Sequence, residues 1–169
     1  MTTAKKPAAT AAAARKDATL LLARDHAEVN RLFKQYDKLA KAEASESDRQ
    51  VLAEQICDML TVHATIEEEI FYPAAREADI ESDLLDEAEV EHASAKELIA
   101  QIRAMTPEED LYDAKVRVLG EYIDHHVQEE ENEMFPKCRK SAMDLESLAQ
   151  QLSERKAELT VDQEEDVVR

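Results

Sequence analysis

Apolar residues recur every three or four positions through four long stretches of this chain, and that period predicts four amphipathic helices. In the first stretch the apolar stripe includes Leu22, Val29 and Phe33. The first predicted helix is residues 17–43, and the second begins with a capping box at Ser47 and Gln50 and ends at Pro73. The third begins between residues 79 and 83 and ends at 105. The fourth is capped at Thr106 and ends or bends at Pro136.

The two ends of the chain differ in composition from these helices. Residues 1–16 are rich in Ala, Lys and Thr and bury too little apolar area to offset their ordering entropy, so they are predicted to form a flexible tail. Residues 141–169 are predicted to form a shorter fifth helix, opened by Ser141 and Asp144, and an acidic tail. The central domain is residues 17–140, where short connections favour an up-down-up-down antiparallel four-helix bundle.

Composition removes several other classes of fold and function. The 169 residues include one Gly and four Pro, too few for the turns of a sheet, and 44% are hydrophobic, so we expect an all-α domain with its own core. The net charge of −18 repels phosphate backbones and anionic lipids, so neither nucleic acid nor a membrane is expected as a partner. No run of about 18 apolar residues is present, and we expect a cytoplasmic protein.

Each of the four stripes contains one histidine: His26, His63, His92 and His126. Two segments repeat, "HATIEEEIFYP" from residue 63 and "HVQEEENEMFP" from residue 126, so that Glu67 and Glu130 each follow a histidine by four residues. Residues four apart lie on one face of a helix. Burying two carboxylates without a partner would cost several kcal/mol each, whereas a bound metal ion offsets that cost. The pattern predicts a metal site where the four helices converge.

The second repeat allows two alignments, because His125 and Glu129 have the same spacing as His126 and Glu130. His126 lies in phase with apolar residues such as Leu119, whereas His125 lies in phase with acidic and amide residues. We therefore assign His125 to the surface or to a position behind the ligands. The acidic residues that flank the predicted ligands are interpreted as solvent-facing: Asp25, Glu89 and Glu91.

These segments resemble the hemerythrin-like (HHE cation-binding) domains, which bind cations through a series of His, His-x-x-x-Glu, His and His-x-x-x-Glu. The resemblance covers residues 17–140. It implies a four-helix bundle that holds two iron ions in a non-haem centre with an oxo or hydroxo bridge. Carried over by position, it implies nitrogen ligands and bridging carboxylates at His26, His63, His92, His126, Glu67 and Glu130.

Two further residues change what this resemblance implies. Oxygen-carrying hemerythrins place an additional histidine four residues after the third-helix ligand, where this chain has Lys96. Each iron then keeps room for an outside ligand, which favours reactivity over simple carriage. Tyr122, one turn before His126, is either a hydrogen-bonding or phenolate partner of the centre or a plain core tyrosine.

Three classes of function stay open at this point. The first is a diiron protein that binds and reacts with O2, hydrogen peroxide or nitric oxide, with a role in oxidative stress. Whether such a protein is a peroxide- or nitric-oxide-consuming enzyme is not fixed by its sequence. The second is a sensor or store of iron or oxygen without catalysis, and the third is a structural zinc or mixed-metal bundle. The expected partner is a small diatomic or peroxide ligand, and a monomer is favoured.

Overall fold

The computed structural model describes residues 10–168, and every regular element in that range is helical, which agrees with the predicted all-α class. In chain order the elements are α1 (Ala11–Ala14), α2 (Ala18–Lys41), α3 (Glu46–Ile66), the π-helix π1 (Glu67–Phe71), α4 (Tyr72–Glu77), α5 (Ser82–Arg103), α6 (Tyr112–Glu129), the π-helix π2 (Glu130–Met134), α7 (Phe135–Lys140) and α8 (Leu145–Val168). None of the helices described in this range combines the length and the apolarity that a bilayer crossing needs.

Local hydrogen bonds set the starts of α2 and α3. The Asp17 carboxylate accepts a hydrogen bond from the backbone N–H of Thr19 and caps α2. The cap of α3 lies two residues before the predicted one, because the Ser45 hydroxyl, and not Ser47, accepts the hydrogen bond from the backbone N–H of Asp48. Both caps satisfy backbone donors that the first turn of a helix leaves without partners.

α6 begins later than the sequence predicts. The backbone N–H of Thr106 donates to Glu109 Oε2 at 3.0 Å, which is half of a capping box, but the hydrogen bond closes a separate turn. The chain then passes through Leu111, whose φ of 76° is left-handed, and the helix starts at Tyr112. A leucine in this conformation is uncommon, and the sequence gives no sign of it.

Pro73 does not end a helix, contrary to the prediction, and Pro136, which is predicted to end or bend one, does not end one either. Each lies in the first turn of a short α-helix, α4 or α7, that continues directly from a π-helix. Proline lacks the N–H that a helix interior needs, and a first-turn position makes that loss harmless. The two prolines therefore mark the points where the wider π-helical turns return to α-helix.

Four long helices enclose the core: α2 packs against α3 and α6, and α5 packs against the same two helices. Their apolar side chains form two separate clusters. One includes Leu22, Ile66, Ala88 and Met134, and the other includes Val29, Leu60, Ala95 and Leu119. Along each helix the stripe histidine lies between a residue of the first cluster and a residue of the second. The four histidines are therefore held in a layer between two apolar clusters.

Both ends of the described chain contain more helix than the sequence predicts. Residues 1–9 of the predicted flexible tail lie outside the described residues, and the rest of that tail includes α1, in which Ala14 is buried. α8 is 24 residues long, so it is not short, and it includes most of the predicted acidic tail. It packs against α2, α3 and π1 through Leu148, Ala149 and Leu152. A fifth long helix therefore lies beside the predicted site.

Candidate metal centre

The structure brings together all six residues that the sequence predicts as ligands, and none is more than 8% exposed: His26, His63, Glu67, His92, His126 and Glu130. Their ligand atoms form two groups that share Glu67, one with His26, His63 and Glu130 and the other with His92 and His126. Within each group two histidines face each other through Nε2, at 3.1 Å for His26 and His63 and at 3.2 Å for His92 and His126.

The two glutamates owe their positions to the π-helices. Glu67 is the first residue of π1, and Glu130, 63 residues later, is the first residue of π2. His63 Nε2 lies 2.9 Å from Glu67 Oε1, and His126 Nε2 lies 3.6 Å from Glu130 Oε2. π-Helical turns are rare and occur mostly as local insertions at functional sites. The sequence repeat is thus also a repeat of this uncommon backbone.

Helical phase correctly separates the two alignments of the second repeat. The His126 side chain is 6% exposed and faces the centre, whereas the His125 side chain is 67% exposed. His125 Nε2 instead lies 3.3 Å from Glu129 Oε1 on the surface.

Carboxylates orient the histidines from behind. The Nδ1 atoms of three rings face a carboxylate oxygen: His63 faces Asp25 at 3.1 Å, His92 faces Glu68 at 2.9 Å, and His126 faces Glu91 at 2.5 Å. Glu131 has the matching place behind His26, at 4.0 Å. A carboxylate on Nδ1 fixes the tautomer and the orientation of the ring and directs Nε2 to a metal ion.

The prediction that Asp25 and Glu91 face solvent is therefore wrong. Asp25 is 7% exposed and the Glu91 side chain 25% exposed. Only Glu89 is solvent-facing as predicted, with a side chain that is 77% exposed. The repeat contains the signal for these partners, because Asp25 and Glu91 each precede a stripe histidine and Glu68 and Glu131 each follow a ligand glutamate.

Lone pairs face one another at the centre. In a neutral histidine whose Nδ1–H donates to a carboxylate, Nε2 carries a lone pair. Here these lone pairs point at one another and at Glu67 Oε1 and Glu130 Oε2, two buried atoms that have no hydrogen-bond partner among the described residues. Facing lone pairs repel each other unless a proton or a metal ion lies between them. Four imidazoles and two carboxylates are a donor set that suits iron and other transition-metal ions.

The raised pKa values of two histidines favour protons in these positions when no metal is bound. Burial lowers the pKa of His63, but Glu67 and Asp25 outweigh burial and hold that pKa well above its usual value. Burial likewise lowers the pKa of His126, while Glu130 and Glu91 raise it, to about 9. A metal ion must displace these protons, so metal binding depends on pH.

Tyr72 is the residue of the centre that the sequence reasoning missed. It is 6% exposed, and its Oη lies 2.6 Å from Glu130 Oε1, 3.2 Å from Glu67 Oε2, 3.2 Å from His92 Nε2 and 3.4 Å from His126 Nε2. Burial, together with both glutamates, raises the pKa of Tyr72 well above 10.0. A π-helix brings residues five apart together, as with Glu67 and Tyr72, whereas the predicted α-helix turns them about 140° away from each other.

Tyr122 does not reach the centre, and the prediction that it could is wrong. It is 49% exposed, so it is not a plain core tyrosine either. The inward stripe of α6 includes Leu119, Ile123 and His126, which leaves Tyr122 at the edge of the stripe.

Two lysines pair with the carboxylates behind the histidines. Lys96 Nζ donates to both oxygens of Glu68, at 2.7 and 2.6 Å. Lys96 therefore points outward, and its side chain is 51% exposed. Lys156 of α8 donates to Asp25 Oδ1 at 2.5 Å. Through this contact α8 reaches the ring of His63.

An apolar cavity of about 30 Å³ lies beside the four histidines, with Val29, Leu60 and Ile99 in its wall. A larger groove of about 620 Å³ between α2 and α6 shares four lining residues with this cavity: His26, Val29, Ile123 and Val127. The groove therefore reaches the centre from the side of His26.

Comparisons with known proteins agree with this geometry. Residues 17–138 match the family model described as the hemerythrin HHE cation binding domain. The crystal structure of a hemerythrin HHE cation binding domain-containing protein from Mycobacterium kansasii has a similar fold, with a TM-score of 0.69 and 22% identity over 85% of this chain and 86% of that chain. A relative from Nostoc sp., named DNA nickase, is 34% identical over 118 residues, which cover 68% of this chain but only 31% of that protein.

Proposed function

Because this chain belongs to the hemerythrin HHE cation-binding domain family, we propose that it binds two iron ions between its two apolar clusters and that the loaded centre reacts with O2, hydrogen peroxide or nitric oxide. The observation that carries the proposal is the position of Glu67. Its Oε1 lies 2.9 Å from His63 Nε2, and its Oε2 lies 3.2 Å from His92 Nε2. The two oxygens of one carboxylate thus face different histidine pairs, which is the arrangement that two neighbouring ions require.

The donor set and the cavity favour iron over structural zinc. Imidazole and carboxylate bind both metals, so ligand type alone does not decide. Structural zinc sites are closed and usually include cysteine, whereas Cys57 and Cys138 lie in the apolar clusters. The cavity beside the histidines gives space to an outside ligand, for which a structural site has no use.

The size of the cavity limits the ligand. About 10–15 Å³ of such space accommodates one water molecule, so about 30 Å³ fits a molecule of roughly two heavy atoms. O2, nitric oxide and hydrogen peroxide are of this size.

Two adjacent ferrous ions would supply the two electrons that reduce peroxide to water. The residues of the chain do the rest: the apolar clusters exclude bulk water, and the carboxylates behind the rings keep each Nε2 directed inward. Before metal binds, Tyr72 holds a proton on Oη and donates it in a hydrogen bond to Glu130 Oε1.

We also infer the up-down-up-down arrangement of the four long helices. Helices that follow each other along the chain, α2 and α3 or α5 and α6, pack side by side and are joined by short connections, which is typical of antiparallel neighbours.

The nicking activity named for the Nostoc relative is not part of this proposal. This chain spans less than a third of that protein, and its charge of −18 disfavours contact with a phosphate backbone. A sensor or store of iron or oxygen without catalysis remains the alternative, and it differs from our proposal in turnover alone.

Metal analysis and rapid kinetics test the proposal. Protein reconstituted anaerobically with ferrous iron should hold two irons per chain and should develop near-ultraviolet charge-transfer bands of an oxo-bridged ferric pair in air. The reduced protein should consume several equivalents of peroxide or nitric oxide when a reductant is present. Uptake of zinc without uptake of iron would refute the diiron assignment, and two bound irons without any turnover would favour the sensor or store.

A further inference from the structure

The two halves of the centre differ at one position of the internal repeat. Tyr72 and Phe135 are 63 residues apart, and each precedes a proline. Phe135 stacks on His26, with ring centroids 5.9 Å apart and an interplanar angle of 4°, and it offers no ligand atom. Tyr72 places a phenol oxygen among the ligands of the other half. The approximate twofold symmetry is therefore broken at the centre itself.

The half of the centre that contains Tyr72 has fewer His and Glu side chains grouped around its metal position. Among the described residues, four His and Glu side chains surround the first metal position: His26, His63, Glu67 and Glu130. Three surround the second, Glu67, His92 and His126, and Glu130 approaches this position only through Oε2, 3.6 Å from His126 Nε2. Tyr72 lies beside the position that has three.

The distances around Tyr72 Oη match those between ligands of one metal ion. Two ligands at about 2.1 Å from an ion are about 3.0 Å apart when they subtend a right angle and about 3.4 Å apart in a tetrahedron. Tyr72 Oη lies 3.2 Å from Glu67 Oε2, 3.2 Å from His92 Nε2 and 3.4 Å from His126 Nε2. The two histidine nitrogens are 3.2 Å apart. All of these atoms can therefore surround one ion.

A hydrogen-bonding role explains only part of this arrangement. A phenol has one proton, and the Tyr72 proton has an acceptor in Glu130 Oε1, at 2.6 Å. A protonated histidine can donate to Oη, but Glu67 Oε2, at 3.2 Å, is a second acceptor that the one phenol proton does not also serve. Coordination accounts for the contacts of Oη with Glu67, His92 and His126 at once.

We propose that Tyr72 Oη is a ligand of the metal ion held by His92 and His126, so that the two ions of the centre are inequivalent. This inference rests on the proposed function. Coordination breaks the phenol O–H bond, forms a bond between oxygen and metal, and releases the proton to solvent. The ion held by His26 and His63 has Phe135 in the corresponding place and keeps the open position. The groove between α2 and α6 reaches the centre on that same side, at His26.

Vibrational spectroscopy of the ferric protein tests the assignment. Resonance Raman spectra of wild-type protein with two irons should show tyrosinate ring modes, excited through a visible phenolate-to-iron charge-transfer band. Ring-deuterated tyrosine should shift those modes. The variant Tyr72→Phe should lose both the band and the modes while iron analysis still finds two irons. The matched control Tyr122→Phe removes a half-exposed hydroxyl and should leave both unchanged.

The outcomes separate this inference from the diiron proposal. Two bound irons without tyrosinate modes in the wild type, or modes that persist in Tyr72→Phe, would overturn the ligand role and leave the diiron site intact. A wild type that binds no iron would overturn both. If Tyr72→Phe takes up no iron, the isotope shift in the wild type, together with the unchanged Tyr122→Phe control, still decides the question.

Discussion

Replacing His126 should remove most of the stability that one metal ion gives the fold, whereas replacing its neighbour His125 should remove almost none. His126 is one of the two imidazoles at the second proposed metal position, and its side chain is 6% exposed. His125 is 67% exposed and contacts surface carboxylates. The two substitutions to alanine are chemically identical and adjacent in sequence, so they differ only in the face of α6 that they change.

The expected magnitude follows from linkage between binding and folding. An ion present at 100 times its dissociation constant stabilises the folded state by about 2.7 kcal/mol. If loss of His126 weakens the binding of that ion about 100-fold, the contribution of the ion to stability falls to about 0.4 kcal/mol, a loss of about 2.3 kcal/mol. At about 2–4 °C per kcal/mol for a chain of this size, the metal-dependent part of Tm should fall by roughly 5–9 °C.

Thermal unfolding measured with and without metal isolates the stability that the bound metal contributes. His126→Ala also leaves a cavity, but that cost is present in both states and cancels in the difference between metal-loaded and metal-free Tm. We expect the difference to shrink for His126→Ala and to equal that of the wild type for His125→Ala. Equal differences in the two variants, or a larger effect at position 125, would show that the ligands lie on the other face of the helix.

Three further predictions concern the surroundings of the ligands. The pKa of His63 is higher in the folded protein than its usual value of 6.5, so the proton on His63 stabilises the metal-free fold fully below pH 6.5, and this stability is lost as the pH rises through the folded pKa. The Tm of the metal-free protein should therefore fall from about pH 6.5 upwards, while the Tm of the metal-loaded protein should not. A metal-free Tm that does not change with pH would contradict this. Asp25→Asn should weaken metal binding about 10–100-fold in a competition titration with a chelator. Lys156→Met should weaken it less, because Lys156 acts only through Asp25. If both variants bind metal as tightly as the wild type, Asp25 does not have this positioning role. Lys96→His adds an imidazole near the centre and removes the cation from Glu68, so peroxide turnover should slow and a bound O2 form should persist longer in stopped-flow spectra; faster turnover would refute the idea that a further histidine favours carriage.

The sequence was sufficient to predict that these six side chains meet, because their positions follow from helical phase. His63 and Glu67 are four residues apart on an inward face, and the second repeat gives the same pair at His126 and Glu130. Four buried histidines on four apolar stripes have few explanations other than a metal, so the site could be predicted without knowledge of the packing.

Two of the errors, the helix end at Pro73 and the omission of Tyr72, share one physical cause. Standard stop signals predict that one helix ends at Pro73 and that another ends or bends at Pro136, but a π-helix precedes each proline and the helix continues beyond it. That same turn brings Tyr72 to the centre, so the error about the helix end and the failure to find Tyr72 are one error. Local rules fail where a functional site imposes an uncommon backbone. The carboxylates behind the rings were missed for another reason, because contacts such as Asp25 with His63 join different helices.

Charge explains why this centre should take two ions and not one. Six carboxylates lie within 4.0 Å of a nitrogen of the four histidines, and two lysines pair with them: Asp25, Glu67, Glu68, Glu91, Glu130 and Glu131, with Lys96 and Lys156. The remaining excess is four negative charges around a layer between two apolar clusters, where unbalanced charge is costly. The same carboxylates favour protons on the histidines in the metal-free protein, and Glu130 and Glu91 raise the pKa of His126 to about 9. One divalent ion would leave the layer negative, whereas two would balance it.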